Sequence, residues 1–466
     1  MRPTLEARGL KESLLEYLST TYALTDEGVR EALHRFLGDE RSGMFRGPYL
    51  RIRTPFTLAG DDWRKHLEWP VEGFWPYAHQ AAAFARLTSA NGHTPEPTLI
   101  TTGTGSGKTE SFLYPVLEHC RREREAGRTG VKAVFLYPMN ALATDQAQRI
   151  NDILVQNEAD LGKVRAGLYI GDRAAIRYDK VRTRRSEMQL SPPDILLTNF
   201  KMLDLLLQRE ADAPLWQGAD IRYVVVDEFH TYDGAQGTDV AMLLRRLAAV
   251  VGAPEAQRPL GRMCPVATSA TLASGTGDDG VASLLKVATD VFGTEFKAES
   301  IVGEDRLPVE EFIPLAKLTM QGLPTPDELL ALPDPADGDE ALLDLIEAVT
   351  GVRDLDPVTL GGNLKRHLFT RAVMQALDGG VKTSDEVLDI MWRAGAAGWS
   401  EAVATQQEKA AEALARFVAL LSYARDPDPS TGGTRPFVHV EVHQWARSVS
   451  RVLRGVLPWP RAEFRW

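Results

Sequence analysis

Two adjacent carboxylates and a histidine follow a run of valines in VVVDEFH, residues 224–230. Three β-branched residues in a row favour a strand buried on both faces, and sites in parallel α/β sheets collect at the carboxyl ends of strands. Asp227 and Glu228 at such a place are suited to hold a metal ion and to accept a proton from water. Taken alone, the pattern is equally typical of a charged turn after a strand. A site therefore requires a phosphate-binding partner elsewhere in the chain.

That partner is TTGTGSGKTE, residues 101–110, which follows an apolar strand-like run and opens a helical one. Backbone N–H groups of a glycine-rich loop at a helix N-terminus bind phosphate. In this pattern Lys108 reaches the β and γ phosphates and Thr109 holds Mg²⁺. Thr102 stands where the strict pattern has glycine, and a glycine-rich surface turn is the alternative. The residues expected around ATP are Gly103, Thr104, Gly105, Ser106, Gly107, Lys108 and Thr109.

Together the two segments predict transfer of a phosphoryl group to water, which requires mainly positioning and charge neutralisation. Lys108 and the loop amides would hold the phosphates, and Asp227 would bind Mg²⁺ through its water shell. Glu228 would accept the proton of the attacking water. His230, two residues further on, either relays the nucleotide state to a neighbouring loop or is a surface residue at a helix N-terminus.

The elements that must position these residues alternate between strand and helix from about residue 71 to 300. Apolar runs that suit strands are each followed by a helical pattern, which predicts an α/β fold with a parallel sheet flanked by helices. The five strand-like runs are TLITT, AVFLYP, DILLT, YVVVDE and PVATSAT.

The flanking regions differ in character from this alternating segment. Residues 1–70 combine an amphipathic helical pattern with an extended, proline-punctuated stretch, and are predicted to form a small N-terminal accessory region. Residues 301–466 begin with a linker rich in Pro and Asp and continue as mainly helical patterns, with one strand in PFVHVEVHQW. We therefore expect 71–300 to be the ATP-binding domain and 301–466 to be a mainly helical accessory region.

The composition is that of a water-soluble protein: 44% of the 466 residues are hydrophobic and 25% are charged. No apolar run approaches the roughly 18 residues of a membrane span, and the N-terminus lacks a signal-peptide core. The two cysteines are far apart, so neither a disulfide framework nor a zinc site is indicated. These features predict a cytoplasmic location without a membrane partner. The net charge of −11 argues against a surface that coats nucleic acid, although a local basic track is compatible with it.

The order of these segments resembles the first RecA-like domain of superfamily 2 helicases of the DEAD/DEAH type. VVVDEFH resembles motif II, with Phe229 where the commonest versions carry Ala, and TSAT (268–271) resembles motif III. YPMNALATDQ (137–146) resembles motif Ia, PPDILLTNFKML (192–203) resembles motif Ib, and YAHQ (77–80) resembles the Q motif. The resemblance implies a RecA-like, ATP-hydrolysing domain over residues 71–300.

The same resemblance implies roles for individual residues. Gln80 would read the adenine, with Tyr77 or Trp75 stacking on it, and His230 would act with Ser269 and Thr271 to couple nucleotide state to nucleic acid. Motifs Ia and Ib are expected on the sheet face opposite the nucleotide, against the backbone of one nucleic-acid strand. The contacts implied there are Pro138, Asn140, Gly171, Thr198 and Asn199.

A basic segment, DRAAIRYDKVRTRR, lies between these two motifs. Arg173, Arg182 and Arg184 within it would bind phosphates in a salt-dependent and sequence-independent way. The alternative is a solvated charged loop, because acidic residues in and beside the segment partly neutralise it.

YPMNALATDQ and DEFHTYDGAQGTDVAMLLRRL look most similar to large bacterial helicases of the Lhr and MrfA kind, whose relatives occur in phage-defence systems such as DISARM and Druantia. This narrower resemblance implies action on DNA in genome defence or repair, with nuclease or modification subunits as possible partners. An RNA helicase carries the same motifs. A nucleotide-gated module that binds DNA and recruits partners without unwinding is the third reading.

The family's second RecA-like domain brings arginines to the nucleotide, in a motif close to Q-x-x-G-R-x-G-R. Residues 300–466 contain no such motif. The sequence therefore predicts that a second motor domain lies outside these residues, in the same or another chain. Loss of such arginines lowers hydrolysis by a factor of about 10³ to 10⁵, so the isolated chain is expected to hydrolyse ATP weakly and not to unwind.

Overall fold

The computed structural model describes residues 3–465 except 22–23, 40–41, 70–73, 104, 172–177, 233, 254, 256–257, 270–277, 319–323, 379, 394–398, 430–431, 448–451 and 455–463. The chain divides into two compact units. The first, here called the sheet unit, comprises residues 56–305. The second, the accessory unit, comprises residues 1–55 and 306–466.

The sheet unit is built on eight parallel strands. Strands and helices are numbered along the whole chain, and their order across this sheet is β5-β4-β6-β3-β7-β8-β2-β9. The strands are β2 (Thr98–Thr101), β3 (Ala133–Tyr137), β4 (Ala166–Tyr169), β5 (Val181–Arg182), β6 (Ile195–Asn199), β7 (Tyr223–Val226), β8 (Cys264–Thr268) and β9 (Ile301–Gly303). The predicted α/β fold with a parallel sheet is confirmed.

The apolar runs of the sequence are continuous because the central strands are buried on both faces. Along β3, Phe135 packs into one hydrophobic cluster, whereas Val134 and Leu136 pack into the cluster on the other face. In β7, Val225 joins the first cluster and Val224 the second. This alternation within an uninterrupted apolar run is what a parallel sheet covered by helices requires.

Helices cover both faces of the sheet. Apolar residues of α3, α4 and α5 pack into the first cluster, and those of α8, α9 and α10 into the second. The helices of this unit are α3 (Ala78–Leu87), α4 (Lys108–Glu125), α5 (Asn140–Gln156), α6 (Glu158–Leu161), α7 (Arg185–Leu190), α8 (Phe200–Gln208), α9 (Gly234–Val250) and α10 (Asp278–Phe292).

The accessory unit joins the two ends of the chain, because β1 (Phe45–Arg53) pairs antiparallel with β12 (His439–Ala446). Two short antiparallel pairs, β10 (Arg425–Pro427) with β11 (Thr434–Pro436) and β13 (Leu453–Arg454) with β14 (Phe464–Arg465), complete its described strands. Its helices are α1 (Pro3–Thr21), α2 (Glu27–Gly38), α11 (Val309–Phe312), α12 (Pro326–Ala331), α13 (Asp339–Thr350), α14 (Pro357–Leu364), α15 (Leu368–Leu377), α16 (Ser384–Arg393), α17 (Ser400–Thr405) and α18 (Gln407–Tyr423).

The unit boundaries correct the expected division at residues 70 and 300. Residues 56–69 belong to the sheet unit, since Trp63 and Trp69 are buried in its hydrophobic cluster. At the other boundary, β9 is an edge strand of the sheet. The N-terminal and C-terminal accessory regions form one unit, in which β1 pairs with β12. The sequence did not predict this, because pairing between distant strands leaves no local signal.

Both cysteines, Cys120 and Cys264, are buried and unpaired. Across the described helices, no segment combines the length and apolarity needed to cross a bilayer.

Burial of His119 in α4 makes a testable contribution to acid sensitivity. Its Nδ1 lies 2.9 Å from the Ser89 hydroxyl and its ring packs edge-on against Tyr223. Burial lowers the pKa of His119 to about 4 from 6.5. The unfolded chain protonates His119 near pH 6.5, whereas the folded protein does so only near pH 4. The free energy of unfolding therefore keeps its full value above pH 6.5 and decreases as the pH falls from 6.5 towards 4, by roughly 3 kcal/mol in all.

We therefore expect His119→Gln to weaken the dependence of the unfolding free energy on pH between 6.5 and 4, measured by urea denaturation. His34→Gln, at an exposed position of α2, serves as the control and should leave that dependence unchanged. Equal pH profiles for His119→Gln and the parent protein would contradict the assignment.

Candidate nucleotide and nucleic-acid site

The residues predicted to bind and hydrolyse the nucleotide lie together at the carboxyl edge of the sheet. β8 lies between β7 and β2, so the segments that follow these three strands are neighbours. They are the phosphate loop after β2, Asp227 after β7 and Ser269 after β8.

The phosphate loop connects β2 to α4 and is held by its own side chains. The buried Ser106 hydroxyl lies 2.7 Å from the hydroxyl oxygen of Thr102 and 2.8 Å from the Gly103 carbonyl. The Gly103 N–H donates to Glu304 Oε1 at 2.6 Å, directly after β9. Thr102, the departure from the strict pattern, therefore supplies a contact inside the loop that glycine lacks.

Gly107 is the point where α3 meets the loop. Its φ of +73° lies in the left-handed region, and a Cβ there would lie 2.2 Å from Gln80 Nε2. This nitrogen donates to the Gly107 carbonyl at 3.1 Å, while Gln80 Oε1 accepts from the Tyr77 N–H at 2.9 Å. Gln80 is 3% exposed, so its amide ties α3 to the loop, and its role towards adenine stays a prediction.

The aromatic residues expected to stack on adenine have partners within the sheet unit. The Tyr77 ring contacts Phe56 and stacks on His79, with ring centroids 5.0 and 5.7 Å apart. The Trp75 indole N–H donates to the Ala59 carbonyl at 2.7 Å. His79 in turn places Nε2 2.8 Å from the Ser106 carbonyl, so this aromatic group supports the phosphate loop directly.

The DEFH segment meets the loop through Lys108, whose Nζ lies 4.0 Å from Glu228 Oε1. Glu228 has φ 48° and ψ 48°, a left-handed conformation that is uncommon for a residue with a side chain and clusters at functional sites. The Glu228 N–H donates to the Thr268 hydroxyl oxygen at 3.1 Å, and that hydroxyl donates to the carboxylate of Asp227. Thr268 thus fixes both acidic residues relative to the end of β8.

His230 joins the acidic pair to motif III. Its Nδ1 lies 3.3 Å from Glu228 Oε2 and 3.4 Å from the Ser269 hydroxyl, which is buried. Of the two alternatives for His230, the contacts favour a link from Glu228 to Ser269 over a simple surface position. Its part in coupling remains a prediction.

The residues at Asp227 suit a magnesium ion bound mainly by phosphate and water. Burial raises the pKa of the Asp227 carboxyl, partly offset by the hydrogen bond from Thr268. The desolvated carboxylate of Asp227 provides the hard oxygen donor that Mg²⁺ prefers, and Mg²⁺ typically takes only one or two protein ligands. The part of Thr109 in holding the ion stays a prediction. No group of three or more histidine, cysteine or acidic ligands that could hold an ion occurs among the described residues.

Three predicted site residues, Thr104, Thr271 and Arg173, lie outside the described residues.

Four of the residues predicted to contact nucleic acid line one cavity of 520 Å³: Pro138, Asn140, Gly171 and Asn199. Asn199 Nδ2 donates to Asn140 Oδ1 at 2.7 Å, and Asn199 Oδ1 accepts from the Met202 N–H at the start of α8. The segments after β3, β6 and β4 therefore form a continuous surface with an amide pair at its centre.

The cavity bears on the expected placement of motifs Ia and Ib. β3 is adjacent to β7, and β6 and β4 continue the sheet beyond β3, so the cavity lies along the same carboxyl edge as the phosphate loop. It is lined by Phe200, Met202 and Leu205 of α8, which packs on the other face of the sheet from α3 and α4. The placement of the two motifs on the face opposite the nucleotide stays a prediction.

Two of the predicted contacts lie away from this cavity surface. Thr198 is fully buried and its hydroxyl donates to the Tyr169 carbonyl at 2.7 Å, so it supports the strand and does not face a ligand. Arg182 pairs in register with Gly167 near the start of β4, and donates to the Ser191 carbonyl. It lies towards the amino end of the strands, away from the cavity. Arg184 is exposed and lies 3.2 Å from Glu187.

Thr268, Glu304 and His79 were missed by the sequence reasoning, although each contacts the predicted site. Thr268 is the first residue of TSAT and His79 lies in YAHQ, so the motifs offered a signal for both. Glu304 carries no such signal, since only the parallel pairing of β9 with β2 brings it to the loop.

The fold, the loop and the acidic pair define a nucleotide-binding domain of the helicase class. Residues 77–278 match the DEAD/DEAH box helicase family. Residues 77–278 are therefore a DEAD/DEAH box helicase domain, as the motifs had indicated.

The chain is similar to helicases of the Lhr and MrfA kind. It is 27% identical over 385 residues to the Druantia protein DruE of Escherichia coli, covering 57% of this chain and 20% of that protein. Identity to the Lhr helicase/uracil glycosylase of Escherichia coli is 34% over 193 residues, covering 40% of this chain and 12% of that protein. The crystal structure of the DUF1998 helicase MrfA bound to DNA and AMPPNP has 23% identity and a TM-score of 0.39, covering 60% and 34% of the two chains.

The chain spans a fifth or less of the length of these two curated relatives. The comparisons thus show a DEAD/DEAH box helicase domain over residues 77–278, while its activity and that of the whole protein belong to the proposal below.

Proposed function

We propose that this chain is the ATP-binding module of a DNA helicase or translocase, and that the carboxyl edge of its sheet hydrolyses ATP. One observation carries the proposal. Lys108 of the phosphate loop lies 4.0 Å from Glu228, which the left-handed backbone and Thr268 hold beside Asp227. A cation for phosphate, a proton acceptor for water and a desolvated carboxylate for a metal converge there.

The chain's own residues account for most of the chemistry. The Lys108 ammonium would neutralise phosphate charge, and the loop amides would orient the γ-phosphate for in-line attack. Glu228 would orient a water and take its proton at one carboxylate oxygen, and the contact with His230 would fix the direction of that carboxylate. Thr109 and Asp227 would hold Mg²⁺, which would supply neutralisation of phosphate charge.

The cavity at Asn140 and Asn199 is the proposed contact for one nucleic-acid strand. Backbone contacts of this type do not identify the sugar, so the preference for DNA is supported by similarity to DruE and Lhr, and an RNA helicase is the alternative. Similarity to a Druantia protein supports a role in genome defence, with nuclease or modification subunits as partners. A module that binds DNA and recruits partners without unwinding is the second alternative.

A second RecA-like domain, in the same or another chain, completes the proposed active site. Support comes from the absence of the Q-x-x-G-R-x-G-R pattern in residues 300–466. On this proposal the present chain binds ATP, hydrolyses it slowly and does not unwind duplexes.

Lys108→Ala tests the nucleotide site. We expect it to weaken binding of Mg·ATP by about 10- to 100-fold, because a charge-assisted contact to phosphate is lost. Equilibrium binding of a fluorescent ATP analogue measures the effect. Lys286→Ala, the same substitution at an exposed position of α10, is the matched control. Equal affinity in Lys108→Ala and the control would reject the assignment.

A further inference from the structure

The accessory unit contains a cationic cavity that no part of the proposed function uses. Its volume is 360 Å³, within the range of about 300 to 1,000 Å³ typical of small-ligand sites. The charged residues that line it are four cations and one carboxylate: Lys317, Lys365, Arg366, Arg435 and Glu311. Lys365 and Arg366 directly follow α14, Arg435 lies in β11, and Glu311 and Lys317 lie in α11 and in the segment after it, so the cluster is created by the tertiary structure of this unit.

The charge of the cavity is positive in an acidic protein. A buried carboxylate beneath it, Asp426, lies 2.6 Å from Lys365 Nζ and 3.4 Å from Arg435 Nη2. With Asp426 included, the basic side chains at the cavity still outnumber the carboxylates. The whole chain carries −11. Such a local excess attracts an anion with more than one negative charge.

Arg435 adds an independent observation. Its side chain is 14% exposed, yet Nε and Nη1 are buried without a hydrogen-bond partner among the described residues. Buried donors left unpaired are rare and destabilising. The Arg435 guanidinium is therefore only partly compensated by Asp426 and adds positive charge at the wall of the cavity.

We propose that this cavity, here called the accessory anion site, binds a phosphate group of a nucleotide or of a nucleic-acid strand. Two arginines and two lysines offer both the planar fork and the point charges that bind phosphate. An excess of basic side chains suits the charge of about −1.5 to −2 on a phosphate monoester near neutral pH. Two phosphodiesters of a strand carry a similar charge. The site belongs to a different unit from Lys108 and does not depend on the ATP site.

Gly362 gives a test that spares the fold. It lines the cavity in α14, it lacks a left-handed φ, and a Cβ built on it meets no atom within 4 Å. Gly362→Asp therefore adds a carboxylate to the rim without a steric clash, and Gly362→Ala adds only a methyl group. Lys317→Gln removes one exposed cation by a second route.

The experiment measures binding of two probes in a Lys108→Ala background, which separates the accessory anion site from the nucleotide site. The probes are inorganic pyrophosphate, followed by calorimetry, and a fluorescent 12-residue oligothymidylate, followed by anisotropy. We expect Gly362→Asp to weaken binding of at least one probe by about tenfold, Lys317→Gln to weaken it less, and Gly362→Ala to match the parent.

The two probes distinguish the source of the phosphate. An effect on pyrophosphate alone identifies free nucleotides, and an effect on the oligonucleotide identifies a strand. Equal binding of both probes by Gly362→Asp and Gly362→Ala overturns the inference. With Lys108 intact, Gly362→Asp should bind ATP as the parent protein does. Failure of the proposed nucleotide site would therefore appear only when ATP binding by Lys108→Ala is compared with that of Lys286→Ala.

Discussion

Glu228→Gln is expected to slow ATP hydrolysis by about 10² to 10⁴-fold while ATP binding persists. The amide is nearly isosteric with the carboxylate, so the left-handed backbone at Glu228 and the hydrogen bond from its N–H to Thr268 are retained. The amide cannot accept the proton of the attacking water. Single-turnover hydrolysis of radiolabelled ATP, with enzyme in excess, measures the chemical step even where turnover is slow.

The contrast with Lys108→Ala makes this prediction specific. Lys108→Ala should reduce binding, whereas Glu228→Gln should reduce only hydrolysis, because Lys108 and the loop amides still hold the phosphates. Glu187→Gln, on the exposed surface of α7, is the matched control and should hydrolyse ATP at the parental rate. If Glu228→Gln hydrolysed ATP as fast as this control, Glu228 would not be the proton acceptor.

Asp194→Asn is expected to lower the free energy of unfolding by about 3 to 5 kcal/mol, because it removes one partner of a buried ion pair. Asp194 is fully buried directly before β6, and its Oδ1 lies 2.6 Å from Nζ of Lys132, which is 1% exposed. Asp194 also accepts from Arg124 and from the backbone N–H of Arg165. The amide would leave the Lys132 ammonium buried without its counter-charge.

This ion pair lies at the amino ends of β3 and β6, whose carboxyl ends carry Asn140 and Asn199. Chemical denaturation measures the loss of stability. Asp220→Asn breaks a more exposed pair with Arg262 and should change the free energy of unfolding by less than about 1 kcal/mol. Similar effects of the two substitutions would show that the buried pair does not stabilise the sheet.

The strands predicted from the sequence were those with strong local signals. The runs around β2, β3, β6, β7 and β8 are continuous and apolar because both of their faces are buried, and each was predicted. β4, β5 and β9 have two to four residues each and were missed. β5 and β9 are the edge strands and β4 lies next to β5, and such short strands towards the edges depend on pairing with a neighbour more than on their own residues.

The candidate site shows the same division. Lys108, Asp227 and Glu228 were recognised because phosphate chemistry requires particular residue types at a fixed spacing. The contacts that hold them, from Thr268 to both acidic residues and from Gln80 to Gly107, join segments that are 40 and 27 residues apart. Arg182 and Asn199 were predicted to contact the same nucleic-acid strand, but they lie at opposite ends of the parallel strands.

The sequence by itself determined the helicase family and the candidate residues of the site: a phosphate loop, an acidic pair and the ordered helicase motifs, since these depend on residue types and local spacing. Only the tertiary structure decided which residues meet. The parallel strand order brings Glu304 to the loop and places Asn140 and Asn199 along the same edge as Lys108. The pairing of β1 with β12 unites the two ends of the chain, and packing of the accessory unit gathers the four cations around one cavity. Because these contacts join residues that are far apart in the chain, they form only in the folded tertiary structure and leave no pattern in any local segment of the sequence.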